Sequence, residues 1–111
     1  MMEQAEFHKL SDKFLENLAE AIEVADDALD VDYINGILTI TLPDDKQFVI
    51  NKHQPSLQIW LSSPFSGAHR FSYDKNKLCW VGSNSSNLVE LLKSEMACLA
   101  GLEPATLSFG S

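Results

Sequence analysis

Apolar residues between positions 6 and 29 recur at steps of three and four along the chain. This spacing is the period of an amphipathic α-helix, in which one side is apolar and the other is polar. The pattern therefore predicts one long helix over residues 6–29, buried along a single stripe. The residues of that stripe are Phe7, Leu10, Phe14, Leu18, Ala21, Ile22, Ala25 and Leu29.

From residue 31 to residue 81 the pattern changes to short apolar runs separated by turn residues, which is typical of consecutive β-strands. Only Asn35-Gly36 separates the first two runs, and this dipeptide readily takes the positive φ values of a tight two-residue hairpin. Within the second run threonine alternates with apolar residues, so one side of that strand is predicted to be buried. The predicted strands are 31–34, 37–42, 47–52, 57–63, 69–73 and 78–81.

A second helix is predicted over residues 87–100 from the signals at its two ends. Asn87 is a suitable N-cap with Glu90 at the third position, and Gly101 and Pro104 follow as stop signals. Because no long crossover separates the strands, the order predicts an α+β fold. It is a two-layer α-β sandwich with both helices on one face of an antiparallel sheet of about six strands. The other sheet face is left for solvent or a partner.

The chain has 111 residues and 45% hydrophobic content, which predict a single domain over residues 1–111. It contains 16 acids and 8 bases, and its net charge is −8. The first 32 residues hold ten of the acids and two of the bases, so the whole net charge falls in this segment. Because the bases form no cluster, the sequence argues against a nucleic-acid binder and favours cationic partners.

No stretch approaches the roughly 20 apolar residues of a membrane span, so no membrane contact is expected. The N-terminus has neither the apolar block of a secretory signal nor the arginine-rich character of a transit peptide. We therefore expect a cytoplasmic protein, or a mitochondrial matrix protein from which a leader has been removed. Cys79 and Cys98 lack CxxC spacing and are expected to be reduced thiols.

Acidic residues follow one another along the polar side of the first predicted helix, and we call this row the acidic ridge. At 100° per residue its members fall within about 80° of one another, opposite Phe14 and Ala21. Like charges one turn apart repel, and the helix dipole disfavours anions at the C-terminal end. The ridge is therefore a candidate set of oxygen ligands or a docking surface for a basic patch, with a merely solubilising helix as the alternative. Its members are Asp12, Glu16, Glu20, Glu23 and Asp27.

A second candidate surface lies on the predicted sheet. Counting by twos places Leu57, Ile59 and Leu61 towards the helices, so their neighbours in the strand point outwards. Tryptophan and arginine are the residue types most enriched at interface hot spots. The alternatives are that a loop covers the tryptophan, or that a register shift of one residue places it inside. We call this surface the Trp60 face, and its members are Asn51, Gln58, Trp60 and Arg70.

The segment NKHQPSLQIWLSSP at residues 51–64, followed by Ser66-Gly67 and Arg70-Phe71, resembles the signature of the frataxin family. The opening Glu6-Phe7-His8 and the hairpin sequence NGILTI at residues 35–40 are similar to its bacterial CyaY members. The resemblance spans the whole chain.

The resemblance implies an α-β sandwich that binds Fe²⁺ or Fe³⁺ weakly on its surface and regulates iron–sulfur cluster assembly. It further implies contact with a cysteine desulfurase and its scaffold protein, as an iron donor or sensor, in a monomer that metal can assemble into oligomers. The implied iron ligands are Glu16, Glu20, Glu23, Asp26, Asp27, Asp30 and Asp32, with His8 as an extra ligand. The implied partner surface is Asn51, Gln58, Ile59, Trp60 and Arg70, with Lys52, Ser62 and Ser63 beside it.

His53 departs from this family pattern, which has glutamine at that position. Since histidine titrates near neutrality, the departure predicts that partner binding is sensitive to pH. Two other functions stay open: a ferroxidase or iron-storage protein, and an interaction module without a metal site. The sequence has no Glu-x-x-His pair of the di-iron kind and no nucleophile triad motif, so we expect a regulator and not an enzyme.

Overall fold

The computed structural model describes residues 2–25, 29–82 and 86–100, with side chains for 2–24, 29–82 and 86–96. Along the chain, one helix precedes the six strands and a second helix follows them. They are α1 Gln4–Ala25, β1 Asp30–Ile34, β2 Ile37–Thr41, β3 Gln47–His53, β4 Gln58–Ser63, β5 Gly67–Asp74, β6 Cys79–Val81 and α2 Leu88–Ala100.

The strands form one sheet in sequential order, and each strand pairs with the next in an antiparallel manner. The hairpin between β1 and β2 turns at Asn35 (φ 53°) and Gly36 (φ 77°), with Ile34 opposite Ile37. Two successive positive φ values are the conformation that the Asn-Gly dipeptide predicts. An added Cβ at Gly36 would lie 3.3 Å from the Lys52 side chain, so this position favours glycine for both reasons.

The core lies between the sheet and the two helices. Alternate residues of the inner strands are fully buried, and they meet buried residues from both helices in one cluster. The predicted α+β sandwich, with both helices on one face of a six-stranded antiparallel sheet, is confirmed. The largest fully buried side chains are Phe7, Phe48, Phe71, Leu15, Leu18, Ile22, Leu38, Ile40, Ile50, Ile59, Leu61 and Leu88.

The first helix differs from its prediction in its end and in its buried stripe. It ends at Ala25, and Leu29 is buried in the bend that precedes β1. Leu15 and Ala19, which the predicted stripe omits, are buried, whereas Phe14 and Ala21 are only partly buried. The reason is that one side of α1 packs on the sheet, whereas its flank faces a surface groove. In this groove the centroid of the Phe14 ring lies 6.1 Å from that of the Trp80 ring. An apolar side chain on this flank satisfies the helical period without lying at the centre of the buried stripe.

The fourth strand begins one residue later than predicted. Leu57 lies in a left-handed conformation (φ 54°), after a 3₁₀ turn at Gln54–Ser56. The Leu57 N–H donates to the carbonyl of Gln54 at 3.1 Å and closes the turn. Pro55 is the second residue of this turn, where its fixed φ suits the first turn of a helix.

The structure also bears on the predicted N-cap of the second helix, on the two cysteines and on a membrane span. The Asn87 side chain accepts a hydrogen bond from the Glu90 N–H at 3.2 Å, which confirms the predicted N-cap. Cys79 is a free, half-buried thiol, whereas the side chain of Cys98, like Gly101 and Pro104, lies outside the described residues. Neither helix, over its described residues, is long and apolar enough to cross a membrane.

A buried carboxylate on α2 holds the turn between β4 and β5. Glu95 accepts hydrogen bonds from the hydroxyls of Ser63 and Ser66, the latter at 2.6 Å. The Ser63 hydroxyl also accepts from the N–H groups of Phe65 and Ser66, at 3.0 and 3.1 Å. The His69 ring lies 2.7 Å from the Ser66 hydroxyl. Because the hydroxyl proton of Ser66 goes to Glu95, this ring nitrogen is the donor to Ser66.

Glu95→Ala is expected to lower the free energy of unfolding by about 2 kcal/mol, because it leaves the buried Ser63 hydroxyl without its acceptor. The exposed neighbour Ser94 provides the control, and Ser94→Ala should change stability by less than about 0.5 kcal/mol. Urea denaturation of the two variants measures both values. Equal midpoints for the two variants would contradict a structural role for this carboxylate.

Candidate functional site

Three strands place Asn51, Trp60 and Arg70 side by side on the open face of the sheet. Trp60 is directly opposite Asn51 of β3 on one side and Arg70 of β5 on the other. Its strand neighbours Ile59 and Leu61 are buried towards the helices, so the indole points away from the core. The alternative register, with the tryptophan inside, is thereby excluded.

The Trp60 indole is half-buried between side chains of the two flanking strands. The His53 ring of β3 stacks on it with a centroid distance of 3.7 Å and an angle of 13° between the planes. From β5 the Arg70 guanidinium carbon lies 4.7 Å from the indole centroid, a cation–π contact. The indole N–H donates to the Gln58 side-chain oxygen at 3.1 Å. These contacts fix the orientation of an aromatic side chain that still presents part of its surface to solvent.

Three residues that the resemblance assigns to the partner surface have side chains directed elsewhere. Ile59 is fully buried on the helix side of β4, as the alternation of the strand requires. Ser63 is buried and binds Glu95. Lys52 is only 16% exposed, and its ammonium group binds Asp12 of α1 at 2.6 Å. Ser62, by contrast, is exposed on the same face as Trp60.

The acidic ridge lies along the outer side of α1. Glu16, Glu20 and Glu23 are exposed, and no basic residue occupies the last turn of the helix. Asp12 is at the flank of the helix, where it forms the ion pair with Lys52. Asp26 and Asp27 lie outside the described residues.

The remaining implied iron ligands are separated from the ridge. Val31 and Tyr33 of β1 pack against the core, so Asp30 and Asp32 point to the open face of the sheet, opposite threonines of β2. His8 precedes Asp12 by one helical turn and is half-buried against Phe7. Across residues 2–24, 29–82 and 86–96, no three histidine, cysteine or acidic side chains converge to form a group able to hold a metal ion.

The negative charge of the ridge affects Tyr33, a residue of the first strand. The pKa of Tyr33 is raised above its ordinary value, mainly because burial penalises the phenolate and further because the carboxylates of Asp12 and Glu16 repel it. Asp12 and Glu16, the first two members of the ridge, therefore lie close enough to β1 for their charges to act on Tyr33.

The variant Glu20→Lys with Glu23→Lys is expected to raise the free energy of unfolding by about 1 kcal/mol. It removes repulsion between acids one turn apart and places cations near the C-terminal end of the helix dipole. Glu90→Lys is the matched control, because Glu90 lies in the first turn of α2, where a carboxylate is favourable, so that change should destabilise. Thermal denaturation measures both effects. A lower melting temperature for the double variant would show that the ridge carries no electrostatic strain.

Sequence reasoning missed two contacts that shape these surfaces. The stacking of His53 follows from alternation, since His53 is two residues beyond Asn51 and lies diagonally across from Trp60. The ion pair between Lys52 and Asp12 joins positions 40 residues apart, and no local pattern in the sequence indicates it.

Known proteins are similar to this chain in sequence and in fold. The family model of the frataxin-like domain matches residues 1–101. The mitochondrial frataxin of Arabidopsis thaliana is 39% identical over 97% of this chain and 60% of its own length. The iron-sulfur cluster assembly protein CyaY of Vibrio cholerae is 34% identical over 85% of this chain and 88% of its own length. The chain thus spans about 60% of the mitochondrial relative and most of the bacterial one.

Two solved structures are similar over nearly the whole chain. Frataxin from Psychromonas ingrahamii matches with a TM-score of 0.80 at 23% identity, over 90% of this chain and 93% of that one, which shows the fold. Trimeric frataxin from the yeast Saccharomyces cerevisiae, complexed with ferrous iron, matches with a TM-score of 0.73 at 30% identity. That match covers 92% of this chain and 89% of the yeast chain.

Proposed function

Because the chain belongs to the frataxin-like domain family, as its sequence signature predicts, we propose that it regulates iron–sulfur cluster assembly. The relative from Vibrio cholerae is named as an assembly protein for such clusters. In this proposal the protein acts by contacting a cysteine desulfurase and its scaffold protein, and it is not an enzyme itself.

The arrangement of Trp60 is the observation that carries the proposal. The indole lies on the open sheet face, oriented by His53, Arg70 and Gln58, and it retains exposed surface. A rigid aromatic side chain beside an arginine is the composition of an interface hot spot, because little conformational entropy is lost when a partner covers it. We therefore assign the docking of the desulfurase–scaffold complex to this face, including Asn51 and Ser62.

The acidic ridge supports a second role, the weak binding of iron. Its described carboxylates stand about one turn apart in an exposed row, so a bound cation would keep water in most of its coordination positions. Oxygen ligands suit Fe²⁺, Fe³⁺ and other hard cations without strong selection among them. The residues proposed to hold iron are Glu16, Glu20 and Glu23, with Asp26 and Asp27 from the undescribed segment. Asp30, Asp32 and His8 would contribute only to separate, weaker contacts.

This geometry favours a regulator over a ferroxidase or an iron-storage protein. An open row of carboxylates suits exchange of a loosely held ion, whereas a di-iron centre needs ligands from facing helices that enclose the metal. We propose that the protein is a monomer without metal and that iron promotes oligomers, as the trimeric yeast structure with ferrous iron suggests. Its proposed site of action is the bacterial cytoplasm, or the mitochondrial matrix if a leader precedes this chain.

A binding titration tests the docking role. Isothermal titration calorimetry of the protein against a purified cysteine desulfurase–scaffold complex should give a saturable heat with one protein bound per desulfurase subunit. The absence of binding, both with and without Fe²⁺, would contradict the proposal.

An NMR titration tests the iron role separately. Adding Fe²⁺ to ¹⁵N-labelled protein should broaden amide signals of residues 12–32 first, and Glu20→Lys with Glu23→Lys should remove most of this effect. If millimolar Fe²⁺ leaves these signals unchanged, the ridge is a protein-docking or solubilising surface and the iron role is wrong.

A further inference from the structure

His53 places an imidazole ring, a group with a neutral and a cationic form, on the Trp60 face. Its ring covers the indole at 3.7 Å in a nearly parallel arrangement, so any charge on the imidazole lies directly on the docking surface. Histidine is the side chain whose charge ordinarily changes between pH 5 and 8. Glutamine, which the family pattern has at this position, does not titrate.

The charged side chains around His53 either are positive or are directed away from its ring. Arg70 contacts the same indole from β5, and in the described part of the chain it forms no ion pair. Lys52 precedes His53 but points to the helix side, where Asp12 neutralises it. The outward residues of β3 and β4 include no acid. On β5 the only acid is Asp74, at the far end, where it accepts from the N–H groups of Asn76 and Lys77.

The hydrogen bond of His53 can persist when the ring gains a proton. The Nδ1 atom lies 2.7 Å from the Ser56 hydroxyl in the 3₁₀ turn. A neutral ring can accept from that hydroxyl, and an imidazolium can donate to it, because a serine hydroxyl serves in both roles. Protonation therefore changes the charge beside Trp60 from one cation to two without displacing the ring.

We infer that the Trp60 face binds a carboxylate-bearing segment of its protein partner, and that protonation of His53 strengthens this binding. Arg70 supplies a charge-assisted donor for a carboxylate, and an imidazolium adds a second one on the other flank of the indole. Two cations on one indole repel each other, and a partner carboxylate between them relieves that repulsion. By linkage, binding of the carboxylate then favours uptake of a proton. The inference rests on the proposed docking role of this face and adds the chemistry of the partner and its dependence on pH.

Calorimetry with the desulfurase–scaffold complex at pH 6.0 and pH 8.0 tests the proton dependence. The wild-type protein should bind about fivefold more tightly at pH 6.0 than at pH 8.0, the size of one exposed charge pair, and should take up protons on binding. His53→Gln, the family residue, should reduce both the change in affinity and the proton uptake. If His53→Gln keeps the pH dependence of the wild type, the titrating group is on the partner and the inference is wrong.

Arg70 tests the sign of the partner's charge. Arg70→Gln should weaken binding, and Arg70→Glu should weaken it at least tenfold further, because a carboxylate would then face another carboxylate. Tighter binding by Arg70→Glu would show that the partner segment is basic and would overturn the inference. Trp60→Ala distinguishes a failure of the docking role from a failure of the inference. If Trp60→Ala binds like wild type, the docking role itself is wrong. If Trp60→Ala loses binding and His53→Gln keeps the pH response of the wild type, only the inference is wrong.

Discussion

Trp60→Ala is expected to weaken binding to the desulfurase–scaffold complex by at least about 30-fold, which corresponds to the roughly 2 kcal/mol of an interface hot spot. The substitution removes the aromatic surface that a partner would cover and leaves His53 and Arg70 without the ring that orients them. Because the indole lies outside the core, the free energy of unfolding should fall by no more than about 1 kcal/mol.

Ser62→Ala is the matched control for this prediction. Ser62 is exposed two residues further along β4, on the same face, and its loss removes only a hydroxyl. Calorimetric titration of both variants against the same complex gives the comparison, with circular dichroism to establish that each is folded. Equal dissociation constants for wild type and Trp60→Ala would place the docking surface elsewhere on the protein.

Phe71→Ala is expected to lower the free energy of unfolding by about 3–5 kcal/mol, the cost of a large cavity in a core. Phe71 is fully buried on the helix side of β5, directly opposite the buried Ile59. Such a loss is a large part of the total stability of a domain of this size, about 5–15 kcal/mol. The variant should therefore be partly unfolded at physiological temperature.

Phe65→Ala provides the comparison, because Phe65 is the same residue type at 64% exposure in the turn between β4 and β5. It should change the free energy of unfolding by less than about 0.5 kcal/mol. Urea denaturation followed by tryptophan fluorescence measures both variants. A cost for Phe71→Ala as small as that for Phe65→Ala would mean that β5 does not bury this face.

Most of the fold could be predicted because its signals are local. Asn35-Gly36 specifies a tight hairpin through the φ values of two residues, and the alternation around Trp60 specifies which side of β4 is buried. The helical period describes the buried stripe of the first helix less well, since Phe14 follows this period but faces a groove next to Trp80. Periodicity shows that a helix is amphipathic, but the position of its neighbours decides which apolar residues are covered.

The candidate site could be predicted only in part, because charges act through space. The resemblance to the frataxin family implies that Asp30 and Asp32 belong to the same iron site as the acids of α1, yet the alternation of β1 directs them to the open face of the sheet. The resemblance also implies Lys52 for the partner surface, although the Lys52 ammonium group neutralises Asp12 on the helix side. The two surfaces therefore lie on different layers of the sandwich, and substitutions in one should leave the other intact.

The docking of the Trp60 face is tested most directly by the rate of cluster formation on the scaffold protein, in a reconstituted reaction with desulfurase, sulfur source and Fe²⁺. We expect the wild-type protein to change this rate in proportion to its occupancy of the complex. Trp60→Ala, at the same concentration, should leave the rate at its value without added protein. Glu20→Lys with Glu23→Lys should alter the dependence of the rate on iron. If Trp60→Ala changes the rate as much as the wild type does, the docking of the Trp60 face on the assembly machinery is contradicted.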